Sequence, residues 1–347
     1  MGQTRSDTAA AISVVLPTYN RPAFLKRAAL SALAAMRPSD ELVIVDDGSE
    51  MDIGESIGRL GDPRIRMVRQ DNQGVSAARN AGMRAATHGM IAFLDDDDEW
   101  KDSKLEIQRA LMGQYTDAVA CFSNFSVTDR QGRVSSGYVF QWGQAVQDWN
   151  LLLGPPDHVK LPSGLGTASA YVGDHYVNQL YGDYILPSSL LIDRDRLGDP
   201  LEFKVGVQRN ESWLFSSQLC RQGPVVYVDL DLVCQHGDAP GRLTDIAYLP
   251  EIQSRIDVLV DEFGANPAFQ SQYRRRYRHY LGIELSKMVK AVLSGDNSDR
   301  KVLLARYAPH SHAIGLLSRL SEGSLARLGY TLTSLKRFRG GVRSGFR

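Results

Sequence analysis

Short apolar runs alternate with Ala/Leu-rich helical stretches through the first hundred residues, and this alternation leaves few possible architectures. ISVVLP (Ile12 to Pro17), ELVIVDDGS (Glu41 to Ser49), RIRMVRQ (Arg64 to Gln70) and MIAFL (Met90 to Leu94) read as strands. Between them, Pro22 to Met36 and Gly74 to Thr87 read as helices, with Pro22 suited to a first helical turn. Strands that are apolar throughout need cover on both faces, and helices between them supply it. The expectation is an α/β fold with a mostly parallel sheet and right-handed crossovers.

In open sheets of this kind, ligands sit beyond the carboxyl ends of the strands. Three strand ends here carry unusual residues: PTYNR, VDDGS and DDDD. They should converge on one crevice. In IAFLDDDDEW, four carboxylates follow a buried strand directly, at Asp95, Asp96, Asp97 and Asp98. Alternation along an extended segment would send Asp95 and Asp97 to one side, and Asp96 and Asp98 to the other. A solvated acidic loop is one explanation. A divalent cation is the sharper one, because Mg²⁺ takes one or two carboxylates together with substrate phosphates. Such an ion would also neutralise a departing diphosphate.

The other two strand ends are weaker signals taken singly. Asp46 and Asp47 can accept hydrogen bonds from a nucleobase or a ribose, or simply form an Asp-Gly turn. Tyr19 offers a stacking surface, and Asn20 lies near a helix cap. Arg79, beside Asn80, could bring positive charge to a nucleotide; taken alone it reads as a solvated helix position.

Composition narrows the classes. The chain has 347 residues, 43% of them hydrophobic, and a formal net charge of zero. That suits a large folded core and argues against a global nucleic-acid binder. Cys121, Cys220 and Cys234 form no C-x-x-C pair, which disfavours a zinc ribbon and fits a reducing compartment. MGQTRSDTAA lacks an apolar signal core, and no apolar run approaches the roughly 18 residues of a membrane span. A soluble or peripheral cytoplasmic protein is expected. P-loop, G-x-G-x-x-G and H-E-x-x-H patterns are absent.

Farther along, DAVACFSNFSVTD predicts a strand, while Gln131 to Gly182 shows no clear period. Ile185 to Leu197 and Pro224 to Gly237 return to strand character around a helix in NESWLFSSQLCRQG. Beyond Gly241 the chain reads as helical. We expect a catalytic domain over 1–240 and a helical region over 241–347.

The segments SVVLPTYNR, ELVIVDDGS, NQGVSAARNAGMRAA and IAFLDDDDEW stand in the order and spacing of family 2 glycosyltransferases. The chain resembles that family strongly from Ile12 to Lys104, and more faintly through ILPSSLLIDRDRL to QHG. The resemblance implies a GT-A fold, a nucleotide-sugar donor (usually a UDP- or dTDP-sugar) and inversion at the anomeric carbon. It places Pro17, Thr18, Tyr19 and Asp47 at the base and Asp96 near the ribose. Asp97 becomes the main ligand of Mn²⁺ or Mg²⁺, and Asp95 the other D-x-D carboxylate. His236 falls where the family often has a histidine near the diphosphate or metal; a structural histidine is the plainer alternative.

An inverting transfer needs a base opposite the leaving group. The family usually supplies it as the Asp of a Glu-Asp pair that begins a later helix. Here the pair reads Glu211-Ser212. Two readings follow: Glu211 is the base, which we favour, or the site is impaired or served by another carboxylate such as Asp183. Glu211 also suits a helix N-terminus for purely electrostatic reasons.

The C-terminal third is basic. Arg274, Arg275, Arg276 and Arg278 cluster, and a later run from Arg319 to Arg347 adds apolar Leu317, Leu320, Leu325 and Leu328. A solvated helix face or a contact with an anionic membrane surface would each account for it. Three classes remain: an inverting glycosyltransferase with a saccharide or lipid-linked acceptor, a nucleotidyltransferase, and a non-catalytic nucleotide-sugar binder. The second lacks its glycine-rich loop, since that place reads LPTYNR. Ser212 keeps the third open.

Overall fold

The computed structural model describes residues 10–139, 149–207, 209–236, 248–294, 300–321, 323–325 and 327–328. The chain divides into two compact units, Met1–Arg242 and Leu243–Arg347.

In the first unit, β1 (Ile12–Thr18), β2 (Glu41–Asp46), β3 (Ile65–Arg69) and β4 (Met90–Phe93) pair in parallel in the order β3-β2-β1-β4. β1, β2 and β4 are buried along their whole length, as their continuous apolar sequences require. The connecting helices are α1 (Pro22–Ala35), α2 (Ile53–Gly58) and α3 (Val75–Ala85). Pro22 opens α1, where its missing N–H costs nothing. α1 buries an alanine-rich face: Leu25, Ala28, Ala29, Ala32 and Ala35. Ala78 of α3 packs against Val43 and Val45 of β2.

Past β4 the sheet becomes mixed, and the parallel pairing expected from the sequence gives way. β10 (Leu191–Asp193) runs antiparallel to both β4 and β6 (Ala120–Thr128). β11 (Val225–His236) runs parallel to β6, but antiparallel to β9 (Thr167–Gly173) and β5 (Asp98–Trp100). β7 (Val134–Ser135) and β8 (Asp157–Lys160) complete the eleven-stranded sheet. α4 (Lys104–Gln114) follows β5, α5 (Trp149–Leu153) precedes β8, and α6 (Glu211–Cys220) precedes β11.

Two departures from the sequence reading have local causes. Within Ile185 to Leu197 only β10 is a strand; Pro187–Ser189 and Arg194–Arg196 are 3₁₀ turns. The arginines of the second turn reach helix ends instead. Arg194 donates to the carbonyls of Met83 and Ala86, and Arg196 to those of Met112, Tyr115 and Ala118. They thus satisfy carbonyls that the ends of α3 and α4 leave open. The aromatics of the aperiodic stretch, Trp149, Tyr171 and His175, pack with Tyr184, Phe122 and Tyr227. Burial pushes the His175 imidazole down to about 3, so it is neutral there.

The described residues of the second unit are mainly helical, in keeping with the expectation: α7 (Tyr248–Val258) passes through a π-helical turn at Leu259–Gly264, followed by α8 (Pro267–Ser294), α9 (Arg300–Tyr307) and α10 (His312–Leu317). Arg274, Arg275, Arg276 and Arg278 lie on the exposed side of α8, with Tyr277, Leu281 and Leu285 buried. The basic residues from Lys336 to Arg347 lie outside the described residues. No helix among the described residues is long and apolar enough to cross a membrane.

Two stability predictions follow from this packing. A Cβ on Gly82 of α3 would meet Val15 Cγ1 at 2.3 Å and Val45 Cγ2 at 3.2 Å. Gly82→Ala should therefore destabilise by about 1–3 kcal/mol, read as a lower Tm. Lys104 is fully buried, its ammonium 4.1 Å over the Trp100 ring and bonded to Gln108 Oε1 at 2.6 Å. Burial pulls it from 10.5 down to about 7. Below pH 7 the lysine is charged in both states and its burial cost is fully felt. Above pH 7 the folded protein releases the proton before the unfolded chain does, so stability rises. Measured against Lys104→Met by denaturant titration, the wild type should gain on the order of 1–2 kcal/mol between pH 7 and 9.

Candidate active site

The tips of β1, β2 and β4 adjoin, because β1 pairs with both neighbours in parallel. The three unusual strand ends therefore meet as their sequences suggest. Asp95 to Asp98 form a turn, closed by the Asp98 N–H donating to the Asp95 carbonyl at 3.1 Å. The segment is not extended, yet burial still alternates: Asp96 and Asp98 are buried, Asp95 and Asp97 half-buried. The turn then enters β5, which β11 holds in place.

Arginines balance the carboxylates. Arg21 Nη1 lies 3.1 Å from Asp96 Oδ1 and 3.5 Å from Asp97 Oδ2. Arg27 donates to the Asp97 carbonyl at 3.3 Å and pairs with Glu99 at 3.0 Å. Arg79 Nη2 sits 2.6 Å from Asp95 Oδ1, and its Nη1 sits 3.3 Å from Glu211 Oε1. Arg79 is not a solvated helix residue: it is 3% exposed and stacked over Phe203 at 5.0 Å. Burial alone would lower its basicity; Asp95 and Glu211 outweigh that and raise it, so it stays charged. Arg21 and Arg27 carry charge balance that the sequence reading did not assign. Their signal was position, Arg21 at the β1 tip itself and Arg27 within the helix that follows.

The remaining residues expected at the site serve as braces as much as contacts. Thr18 Oγ1 donates to Asp96 Oδ2 at 2.8 Å. Burial pushes the Asp96 carboxyl up to about 6, against the opposing pull of Arg21 and Thr18. Pro17 is buried within β1, and Tyr19 just beyond it is 43% exposed. Asn20 adopts a left-handed φ of 54°, which asparagine tolerates better than most residues. Its side-chain oxygen accepts from the Glu50 N–H at 2.8 Å, and its own N–H donates to Ser49 Oγ at 2.8 Å. Asp46 accepts from Ser49 N–H and from Arg69. Asp47 accepts from Gln70 Nε2 and from the N–H groups of Gln73 and Gly74, which fixes the loop before α3. Ser188, also unassigned from the sequence, accepts from the Asp95 N–H through Oγ at 3.0 Å; its carbonyl accepts from Trp100 Nε1 at 2.7 Å.

Asp95 and Asp97, two apart on one turn and partly exposed, are hard oxygen donors that suit Mg²⁺ or Mn²⁺ completed by substrate oxygens. No group of three or more His, Cys, Asp or Glu side chains gathers as a metal cage among the described residues. His236 has its Nε2 3.6 Å from Glu99 Oε1, where β5 pairs with the end of β11. At the mouth of α6, Glu211 faces Arg79, and Ser212 Oγ donates to Asp183 Oδ2 at 2.7 Å.

Residues 13–158 match the glycosyl transferase family 2 model. An uncharacterized glycosyltransferase of Nostoc sp. is 40% identical over 122 residues, 34% of this chain and 37% of the relative. The putative teichuronic acid biosynthesis glycosyltransferase TuaG of Bacillus subtilis is 34% identical over 125 residues, 35% of this chain and 49% of its own. The putative colanic acid biosynthesis glycosyl transferase WcaA of Escherichia coli is 34% identical over 128 residues, 36% of this chain and 45% of its own. The chain thus spans less than half the length of each of these relatives. Among solved structures, S. aureus TarS 1–349 in complex with UDP-GlcNAc superimposes with a TM-score of 0.61 at 14% identity, covering 88% of this chain and 81% of that one. That likeness is one of fold. Residues 13–158 are thus similar to glycosyl transferase family 2, and they lie on a GT-A-like α/β sheet.

Proposed function

We propose that the chain transfers a sugar from a nucleoside-diphosphate sugar, a UDP- or dTDP-sugar, to an acceptor hydroxyl with inversion. The observation that carries this reading is the acidic turn at the junction of β1 and β4, with Asp95 and Asp97 at its open side and Arg21 and Arg79 behind it. The TarS structures, solved with UDP-GlcNAc and with UDP, support a uridine donor on this fold. The names of TuaG and WcaA support a place in cell-surface polysaccharide or glycoconjugate synthesis, on a saccharide or lipid-linked acceptor.

In this reading Tyr19, exposed beyond β1, meets the base, and Pro17 and Thr18 form the wall behind it. Asp46, Asp47 and Asn20 hold the rim in shape. Asp96 orients the ribose. Asp97 and Asp95 hold Mn²⁺ or Mg²⁺, which when bound supplies Lewis-acid stabilisation to the leaving diphosphate. Arg79, itself buried, holds Asp95 and Glu211 in position. Glu211, the base expected from the sequence, lies one residue from the Ser212–Asp183 contact, so the acceptor side of the site is rich in carboxylate. The exposed arginines of α8 suit transient contact with an anionic membrane surface on the cytoplasmic side, where lipid-linked acceptors would be met.

A thermal-shift panel of UDP, dTDP and GDP, with and without Mn²⁺, tests the donor and the metal together. The cognate diphosphate at about 100 times its Kd should stabilise by about 2.7 kcal/mol, or roughly 4 °C in Tm. Asp97→Ala should weaken UDP binding about tenfold or more and abolish the gain from Mn²⁺; titration calorimetry reads both. UDP affinity and manganese dependence that survive Asp97→Ala would sink the metal assignment. Nucleotide binding with no turnover of any donor in a product-release assay would favour a non-catalytic binder instead.

A further inference from the structure

We propose that Asp183 is the general base of the transfer and that Ser212 is its positioning residue; this rests on the glycosyl-transfer reading above. The argument begins with what Glu211 already does. Its Oε1 lies 3.3 Å from Arg79 Nη1, and its side chain is 9% exposed. Arg79 is buried and shared with Asp95. Glu211 is thus already engaged in holding Arg79, the buried cation it shares with Asp95.

The next residue along α6 points elsewhere. Ser212 Oγ–H donates to Asp183 Oδ2 at 2.7 Å. A serine cannot act as a simple base, but a hydroxyl hydrogen bond orients a carboxylate without cancelling its charge. Asp183 is half-buried: its Oδ1 is enclosed, and Oδ2 is the oxygen that Ser212 holds. Both sides of the contact are anchored. Trp213, fully buried, donates from Nε1 to the Gln179 carbonyl at 2.8 Å, and Ser216 donates to Gln179 Oε1 at 3.1 Å. These bonds tie the first turn of α6 to the 3₁₀ turn at Val177–Tyr181 that leads through Gly182 into Asp183. Gly182 has a φ of 135°, a conformation side chains resist, and it turns the chain at that point. Five residues on, Ser188 Oγ accepts from the Asp95 N–H. One short segment thus links Asp183 to the acidic turn, and one arginine links the start of α6 to that same turn.

The step balances without a further reactant. The acceptor hydroxyl oxygen bonds to the anomeric carbon as the carbon–oxygen bond to the diphosphate breaks. That bond's electron pair leaves with the nucleoside diphosphate. The acceptor proton passes to the Asp183 carboxylate and from there to water. Departing from the usual Glu-Asp pair at Ser212 moves the carboxylate across a hydrogen bond instead of removing it.

The test measures UDP release from a panel of UDP-sugars and UDP affinity by calorimetry, on wild type, Asp183→Asn, Ser212→Ala and Glu211→Gln. Asp183→Asn should lower kcat by about 10²–10⁴ with UDP Kd and Tm unchanged. Ser212→Ala should lower kcat less and shift the acidic limb of the pH–rate profile, which a merely structural residue would not move. The double change Asp183→Asn with Ser212→Asp, which puts the carboxylate on the helix side of the contact, should recover part of the lost rate. Full turnover in Asp183→Asn, or a loss of UDP affinity as large as the loss of kcat, overturns the assignment while leaving the transfer reading intact. A loss of kcat in Glu211→Gln alone, with Tm and Kd unchanged, returns the base to Glu211. Wild-type protein that binds no nucleotide overturns the transfer reading and this assignment with it.

Discussion

Arg79 is the point on which the site depends. It is a buried cation on α3 that holds Asp95 from the turn after β4 and Glu211 from the start of α6. The two carboxylates come from segments more than a hundred residues apart in sequence, so the guanidinium joins two walls of the crevice. A guanidinium suits the task because it stays charged when buried and presents several donors in one plane. Phe203 beneath it excludes water, and Phe203 in turn stacks on Phe215 of α6 at 3.8 Å. Burying one charge between two opposite ones is stabilising only while all three remain. This makes the geometry of the mouth stiff.

The four consecutive aspartates raise a question of charge, and the structure answers it in two layers. The inner layer is covalent to the chain: Arg21, Arg27 and Arg79 balance Asp96, Asp97, Glu99 and Asp95. The outer layer is the open side of the turn, where Asp95 and Asp97 are partly exposed. Protein cations set the shape; in the proposed transfer a hard cation at the open side would supply further charge only while the donor is present.

Much of the fold is readable from the chain. β1, β2, β4, α1 and α3 fall within about three residues of the positions their patterns mark, and for the strands this is because burial on both faces leaves a continuous apolar run that few other elements produce. The convergence of PTYNR, DDGS and DDDD is legible for the same reason: parallel neighbours put their carboxyl ends together. What was not legible has a common cause. The antiparallel pairing of β10, the pairing of β9 with β11, and the pairing of His236 with Glu99 all depend on contacts between distant segments. No local pattern encodes those. Arg79 is the clearest case. Its neighbours in sequence are those of an ordinary amphipathic helix, and only the fold shows that its side of α3 faces two carboxylates and no water.

The left-handed Asn20 joins the tip of β1 to residues 49 and 50, while Asp47 gathers the N–H groups of Gln73 and Gly74. Each loop around the crevice is thereby sewn to its neighbour by the protein's own hydrogen bonds. The conformational entropy of shaping that rim is surrendered once, when the chain folds, so a ligand entering the crevice meets a finished cradle and little of its binding energy is diverted into ordering the walls.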